Sequence, residues 1–298
     1  MNCGPSRCAA RSAAASVPVL RSLLFVPGTS ANRFAKAAAS GADAVFLDLE
    51  DAVEAGRKAE ARRLVGDWLA ATPAAGQASR FVRINAPGSP WIADDLAWLP
   101  EVIDHIDGIV LPKIEAPADV ERVARVAPAR GLMPMIETAR GVLRAPDIAS
   151  ADANILALVL GAEDLTAELG IPRTVDGEEI LLARSQVVLA AASIGADAID
   201  AVFVDLKAPD ALRRDALRAR ALGFRGKTAI HPDQIAIINE VFSPTADEIA
   251  KARLVIDADA AARAQGQGAF RLDDRMVDAP VVTRAKRILA LAESLQKS

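Results

Sequence analysis

Residues 155–165 read ILALVLGAEDL: an apolar run rich in branched side chains that stops at a glycine and turns acidic. Such a run, bounded by a turn residue and followed by a stretch with helical spacing, is the signature of a strand buried on both faces. The same unit recurs along the chain. RSLLFVPG begins at Arg21, AVFLDLE at Ala44, RFVRIN at Arg80, DGIVLPKI at Asp107 and LMPMIET at Leu132. AIDAVFVDL begins at Ala198 and GKTAIHP at Gly226. Between these runs lie stretches with apolar residues at helical spacing. SANRFAKAAASG opens on Ser30 as an N-cap and closes on Gly41, and RKAEARRLVGDWLAA, PADVERVARVAPARG, EEILLARSQVVLAAASIG and PDALRRDALRARALG follow. Strand–helix alternation at this cadence predicts parallel strands with crossover helices. Eight units over roughly 220 residues fit a (β/α)8 barrel better than an open doubly wound sheet.

The expected organisation is a barrel over residues 19–242, preceded by a disordered extension (residues 1–18) and followed by a helical extension (residues 243–298). The extension reads as a helix over 244–266, a glycine-containing hairpin or loop, and a last helix from about 279 to 295. About 50 residues is too few to bury a core alone, so the extension is expected to pack on the barrel or on a neighbouring subunit. The first 18 residues are rich in Ala and Ser, with two Arg and no acid, but lack the apolar segment of a secretory signal.

Composition narrows the chemistry. Thirty-five basic residues face 39 acidic ones, for a formal charge of −4, with no footprint for nucleic acid or an anionic membrane. No apolar stretch is long enough to span a bilayer. These features predict a cytoplasmic protein. The two cysteines, Cys3 and Cys8, provide no disulfide framework and no zinc cluster, and His105 and His231 are the whole histidine complement. A metal would therefore be held by carboxylates, which favours Mg²⁺ or Mn²⁺. No run is followed by a glycine-rich dinucleotide or phosphate-loop pattern; Gly28 is succeeded by Thr29, Ser30 and Ala31.

In a barrel of this kind the site forms at the C-terminal strand ends. Those ends carry Pro27-Gly28; Asp48, Glu50 and Asp51; Arg83 and Asn85; Lys113 and Glu115; Glu137; Glu163 and Asp164; Asp205; and His231. Glu137 and Asp164, on adjacent strands, can both reach one octahedral cation. Glu50 and Asp51 can hydrogen-bond a metal's water ligands or serve as charge for a helix N-terminus. Arg83 is placed to clamp a carboxylate or stabilise an enolate. Lys113 suits a contact with substrate or cofactor phosphates better than a Schiff base, because the carboxylate pair already supplies an electrophile. Arg21, at the head of the first run, joins Arg83 and Lys113 as a cationic candidate for binding substrate or cofactor. His231 suits either a proton shuttle or a cap on the strand–helix turn, and His105 a surface position.

RSLLFVPGTSANRF, GADAVFLDLEDAV, KAEAR, FVRINAPGSPW, DGIVLPKIE, MPMIETARGV, LVLGAEDLTAELG, GKTAIHPDQI and RMVDAPVV, in this order, resemble the citrate lyase β-subunit and malyl-CoA lyase family of the HpcH/HpaI aldolase superfamily. The likeness runs over about residues 21–295. It implies Mg²⁺ on Glu137 and Asp164, Arg83 on the substrate, and Glu50 and Asp51 ordering metal-bound water. It also implies that Asp278, in RMVDAP, acts as acid/base in a neighbouring subunit's site, within a homotrimer or homohexamer. The implied reaction is a retro-Claisen cleavage of malyl-CoA or citramalyl-CoA to acetyl-CoA plus glyoxylate or pyruvate. A citryl thioester of acyl carrier protein, or malyl-CoA hydrolysis, are the rival chemistries. Asp274 departs from the pattern, standing where such proteins often carry glycine.

Overall fold

The computed structural model describes residues 19–73, 78–266 and 268–297; the amino-terminal segment, including Cys3 and Cys8, lies outside the described residues. Eight parallel strands close on themselves: β1 (Ser22–Pro27), β2 (Ala44–Asp48), β3 (Ser79–Arg83), β4 (Gly108–Leu111), β5 (Gly131–Ile136), β6 (Ala157–Leu160), β7 (Asp197–Asp200) and β8 (Gly226–Ala229), with β8 paired back to β1. The connections carry α1 (Ala31–Ala38), α2 (Lys58–Ala71), α3 (Ile92–Val102), α4 (Pro117–Ala124), α5 (Ala139–Leu143), α6 (Ala145–Ala149), α7 (Ala162–Leu169), α8 (Leu181–Ser193) and α9 (Pro209–Leu222). The fold is the (β/α)8 barrel expected from the alternation.

Nearly every strand residue is buried, because the barrel fills one face and the helices cover the other. Side chains alternate between the two. Leu23, Phe46, Phe81, Val110, Met133, Met135, Val159 and Ile199 belong to the central apolar cluster, with Phe25 packed against it. The Phe25–Phe46 and Phe46–Phe81 rings meet edge to face at 5.1 and 5.8 Å. Two residues beyond Phe46, Phe81 and Met135 come Asp48, Arg83 and Glu137. The same alternation therefore aims all three inward at the C-terminal end of the barrel.

Local details differ from the sequence reading at Ser30, Asp205, Glu163 and Asp164. Ser30 occupies the N-cap position of α1 without a side-chain cap bond. β7 ends at Asp200, and Asp205 lies beyond it on an exposed turn, accepting from the Lys207 N–H at 2.9 Å. Asp205 is therefore not a strand-end residue. Glu163 and Asp164 are not on β6 either: the chain turns at Gly161 and both acids fall in the first turn of α7.

The described residues form two compact units, divided between Asn239 and Glu240 within α10 (Ile235–Phe242). The second unit contains α11 (Ala246–Ala264), a hairpin of β9 (Phe270–Leu272) and β10 (Arg275–Val277), and α12 (Ala279–Lys297), with α11 and α12 packed on each other. Thr245 caps α11 in a reciprocal capping box: its hydroxyl accepts from the Glu248 N–H at 3.1 Å, and the Glu248 carboxylate accepts from the Thr245 N–H at 2.8 Å. The hairpin turns on Asp273 and Asp274, both at positive φ (45° and 61°). A two-residue turn of this hand needs two left-handed residues. Asp tolerates that conformation, so Asp274 can stand where the resemblance led to an expectation of glycine. Among the described residues no helix is long and apolar enough to cross a membrane.

Candidate functional site

Arg83 is fixed by Asp48, its register partner across the β2–β3 ladder. Arg83 Nε and Nη2 donate to the two Asp48 carboxylate oxygens at 2.7 and 2.6 Å, and both side chains are buried. The guanidinium also lies 4.7 Å from the Phe25 ring centroid, and its Nη1 is 3.2 Å from Glu50. This forked pair holds a permanent positive charge in a fixed place at the mouth of the barrel. Asp48 further accepts from the Glu50 N–H at 2.8 Å, which folds the β2–α2 loop over the mouth. Lys58 fastens the same loop from behind, donating to the Leu49 and Glu50 carbonyls at 2.8 and 2.7 Å.

Glu137 follows β5 and is only 1% exposed. One carboxylate oxygen accepts the Lys113 backbone N–H at 2.7 Å; the other, Oε2, is buried without a hydrogen-bond partner. Burial pushes the Glu137 carboxyl up to about 7; Arg83 opposes the shift, and Asp164 and Glu50 add to it. A buried carboxylate oxygen with no protein donor is costly, so its presence marks a position meant for another partner. Gly161 makes the room: a Cβ there would lie 2.2 Å from Glu137 Oε2.

Lys113 joins the remaining acids. Its ammonium is paired with Glu50, lies 2.8 Å from Asp51 Oδ2 and 3.6 Å from Asp164 Oδ1. Burial raises the Glu50 carboxyl, with Arg83 opposing. Burial also acts to raise Asp51, but its hydrogen bonds with Lys113 and Glu50 and the charges of Lys113 and Arg83 together outweigh that and hold it below the usual range. Among the described residues no three His, Cys, Asp or Glu side chains form a ready-made metal cage. The donor set is instead a pair, Glu137 with its orphaned oxygen and the half-exposed Asp164, of the hard-oxygen kind that suits Mg²⁺ with water and substrate completing the shell.

Six of the residues singled out from the sequence thus converge: Glu50, Asp51, Arg83, Lys113, Glu137 and Asp164. Arg21 does not join them. It precedes β1, at the opposite, N-terminal end of the strand, where its side chain is bound to Asp43 at 2.7 and 2.9 Å. The reading of Arg21 as a substrate or cofactor contact is corrected: an arginine ahead of a strand faces the barrel's floor end, not its mouth. His231 caps the turn after β8, its Nδ1 accepting from the Asp233 N–H at 3.2 Å. Glu115 lies 3.7 Å from Arg140, and Asn85 donates to Asp95 at 2.7 Å. Asp278 belongs to the second unit, where its carboxylate accepts from the Val281 N–H at 3.4 Å at the start of α12. The partnership of Asp48 with Arg83 and the space kept by Gly161 have no sequence motif of their own. Strand register and parity locate the first; only the close approach of β6 to Glu137 reveals the second.

Residues 21–232 match the model of the HpcH/HpaI aldolase/citrate lyase family. A citrate lyase subunit beta-like protein of Deinococcus radiodurans is 43% identical over 91% of this chain and 97% of its own. A (3S)-malyl-CoA thioesterase of Cereibacter sphaeroides is 37% identical over 92% and 95%. The CitE protein of Mycobacterium tuberculosis, solved in complex with magnesium, acetoacetate and coenzyme A, superposes with a TM-score of 0.77 at 38% identity, covering 91% of this chain and 97% of that one. With a barrel of this form, a mouth of this composition and relatives along almost its whole length, the chain belongs to the HpcH/HpaI aldolase/citrate lyase family.

Proposed function

We propose that this lyase cleaves, or in reverse condenses, a 3-hydroxyacyl-CoA such as malyl-CoA or citramalyl-CoA, giving acetyl-CoA and glyoxylate or pyruvate. The observation that carries the reading is Glu137: a buried carboxylate with a free oxygen, beside Asp164 and a locked arginine, at the mouth of a closed barrel. Glu137 and Asp164 would hold Mg²⁺, and Mn²⁺ suits the same oxygen donors. The bound ion supplies Lewis-acid polarisation of substrate oxygens. A magnesium, acetoacetate and coenzyme A complex of a 38% identical structure supports this choice of cofactor and substrate class.

The chain's own residues do the rest. Glu50 and Asp51 line the mouth and orient water. As the substrate hydroxyl passes its proton to the water oriented by Glu50 and Asp51, its oxygen becomes the carbonyl of the 2-oxo acid, the adjacent carbon–carbon bond breaks, and that bond's electron pair moves into a thioester enolate. Arg83, immobilised by Asp48, places fixed positive charge where that negative charge develops, at no cost in reorganisation. Asp278 then delivers a proton to the enolate carbon, acting on a neighbouring subunit's site in a homotrimer or homohexamer.

The thioesterase among the relatives makes hydrolysis of the same thioester the second reading, and carrier-protein-bound citrate the third. Incubation with Mg²⁺ and malyl-, methylmalyl- and citramalyl-CoA separates them. Equal release of 2-oxo acid and acyl-CoA, lost with EDTA, is the expected result. Free CoA and hydroxy acid without 2-oxo acid supports hydrolysis, and inertness toward every CoA ester transfers the assignment to the citryl carrier substrate.

A further inference from the structure

Lys113 has two unusual features, and they meet at the same place. It is a non-glycine residue in the left-handed region, at φ +51°, two residues after the barrel strand β4. Backbone strain of that kind persists only where the surroundings impose it. Here it turns the Lys113 N–H onto Glu137 Oε1 at 2.7 Å, fixing one oxygen of that carboxylate. The side chain then carries its ammonium into the acids on the other side, paired with Glu50, 2.8 Å from Asp51 and 3.6 Å from Asp164. Both carboxylates of the proposed cation pair are thus contacted by one residue, by its amide and by its charge.

We propose that Lys113 is a tethered counter-ion that competes with the divalent cation for this carboxylate cluster and so holds the site's affinity for the cation down. The inference rests on the reading of Glu137 and Asp164 as the cation pair. The ammonium is covalently confined near Asp164, so its effective concentration there is high. A cation bound between Glu137 and Asp164 shares Asp164 with a positive charge a few ångströms away and is repelled by it. In exchange, the ammonium offsets the mutual repulsion of Glu50, Asp51 and Asp164 whenever the cation leaves. Lys113 on this view is a positioning residue and an affinity regulator, and its ammonium is committed to protein acids rather than to substrate phosphate.

The test is titration of the full chain with Mn²⁺, followed by electron paramagnetic resonance and by the melting temperature. Variants are Lys113→Met, which removes the charge and keeps the stem, and Lys113→Gly, which also relieves the backbone and keeps the amide. The expected result is Mn²⁺ binding at least about tenfold tighter in both variants. In EDTA the variants melt below the wild type, and Mn²⁺ raises their melting temperature further than it raises that of the wild type. Unchanged or weaker binding in Lys113→Met and Lys113→Gly, with saturable binding in the wild type, overturns the competition. Absence of saturable binding in the wild type overturns the cation pair itself and the competition with it.

Discussion

Glu137 is an expensive residue to keep. A carboxyl group raised from its ordinary 4.5 to about 7 by burial weakens the fold whenever it is ionised. The sign follows from proton counts. Between pH 4.5 and about 7 the folded chain holds a proton at Glu137 that the unfolded chain has lost, so this group's contribution to stability falls as pH rises through that window. Glu137→Gln keeps the oxygen that accepts the Lys113 amide and removes the charge. In EDTA it is predicted to be more stable than the wild type above pH 7, by up to roughly 3 kcal/mol, with the gain vanishing below pH 4.5; denaturant melts at several pH values check it. Gly161→Ala probes the same carboxylate sterically. The added methyl lies 2.2 Å from Glu137 Oε2 and 2.4 Å from its Cβ, so the side chain must move. A displacement of about 1 Å at a reacting centre predicts a loss of about a hundredfold in kcat/KM, measured with the far-ultraviolet spectrum confirming the fold.

At the scale of elements, the strands were legible because burial on both faces leaves a near-continuous apolar run, and the polar residue that ends each run marks the mouth. Arg83 and Glu137 are read correctly on that basis. Asp205 is not, since an apolar run through 201–204 continues past the point where β7 stops at Asp200. What replaces it is a buried network on the outer face of β7 and β8. Arg184 of α8 donates to Asp200 at 2.9 and 2.8 Å and to Asp215 of α9 at 2.7 Å, and Lys227 of β8 donates to both acids at 2.6 Å. Such a network is invisible in the sequence because it joins four elements spread over residues 184–227. Burial works to raise Asp215, but Lys227 and Arg184 outweigh it and hold the acid below its usual range. Lys227→Met leaves two buried carboxylates with one cation and is predicted to cost about 3–5 kcal/mol in urea unfolding at neutral pH. Lys113 was legible as a mouth residue, but its left-handed backbone was not, because no side-chain pattern demands φ > 0 of a lysine. Asp274 is the reverse case: its positive φ in the hairpin gives physical sense to the expectation of glycine there.

At the scale of the whole molecule, the barrel carries Glu137, Asp164 and the fixed arginine, and the second unit carries Asp278 at the head of α12. The assignment of Asp278 as proton donor makes a clean prediction. Asp278→Asn should lower kcat by about a hundredfold or more while leaving Mn²⁺ affinity unchanged. If it serves a neighbouring subunit, mixing inactive Asp278→Asn and inactive Asp164→Asn proteins under subunit exchange should restore part of the activity. Additive inactivity in the mixture contradicts action across subunits. The most direct test of the central claim, carbon–carbon cleavage dependent on Glu137 and Asp164, is 2-oxo acid release from the CoA thioester as a function of Mg²⁺ in the wild type and in Asp164→Asn. The wild type should saturate with Mg²⁺, and Asp164→Asn should turn over at least about a thousandfold more slowly at every Mg²⁺ concentration with its EDTA melting temperature retained; near-wild-type release by Asp164→Asn would contradict it.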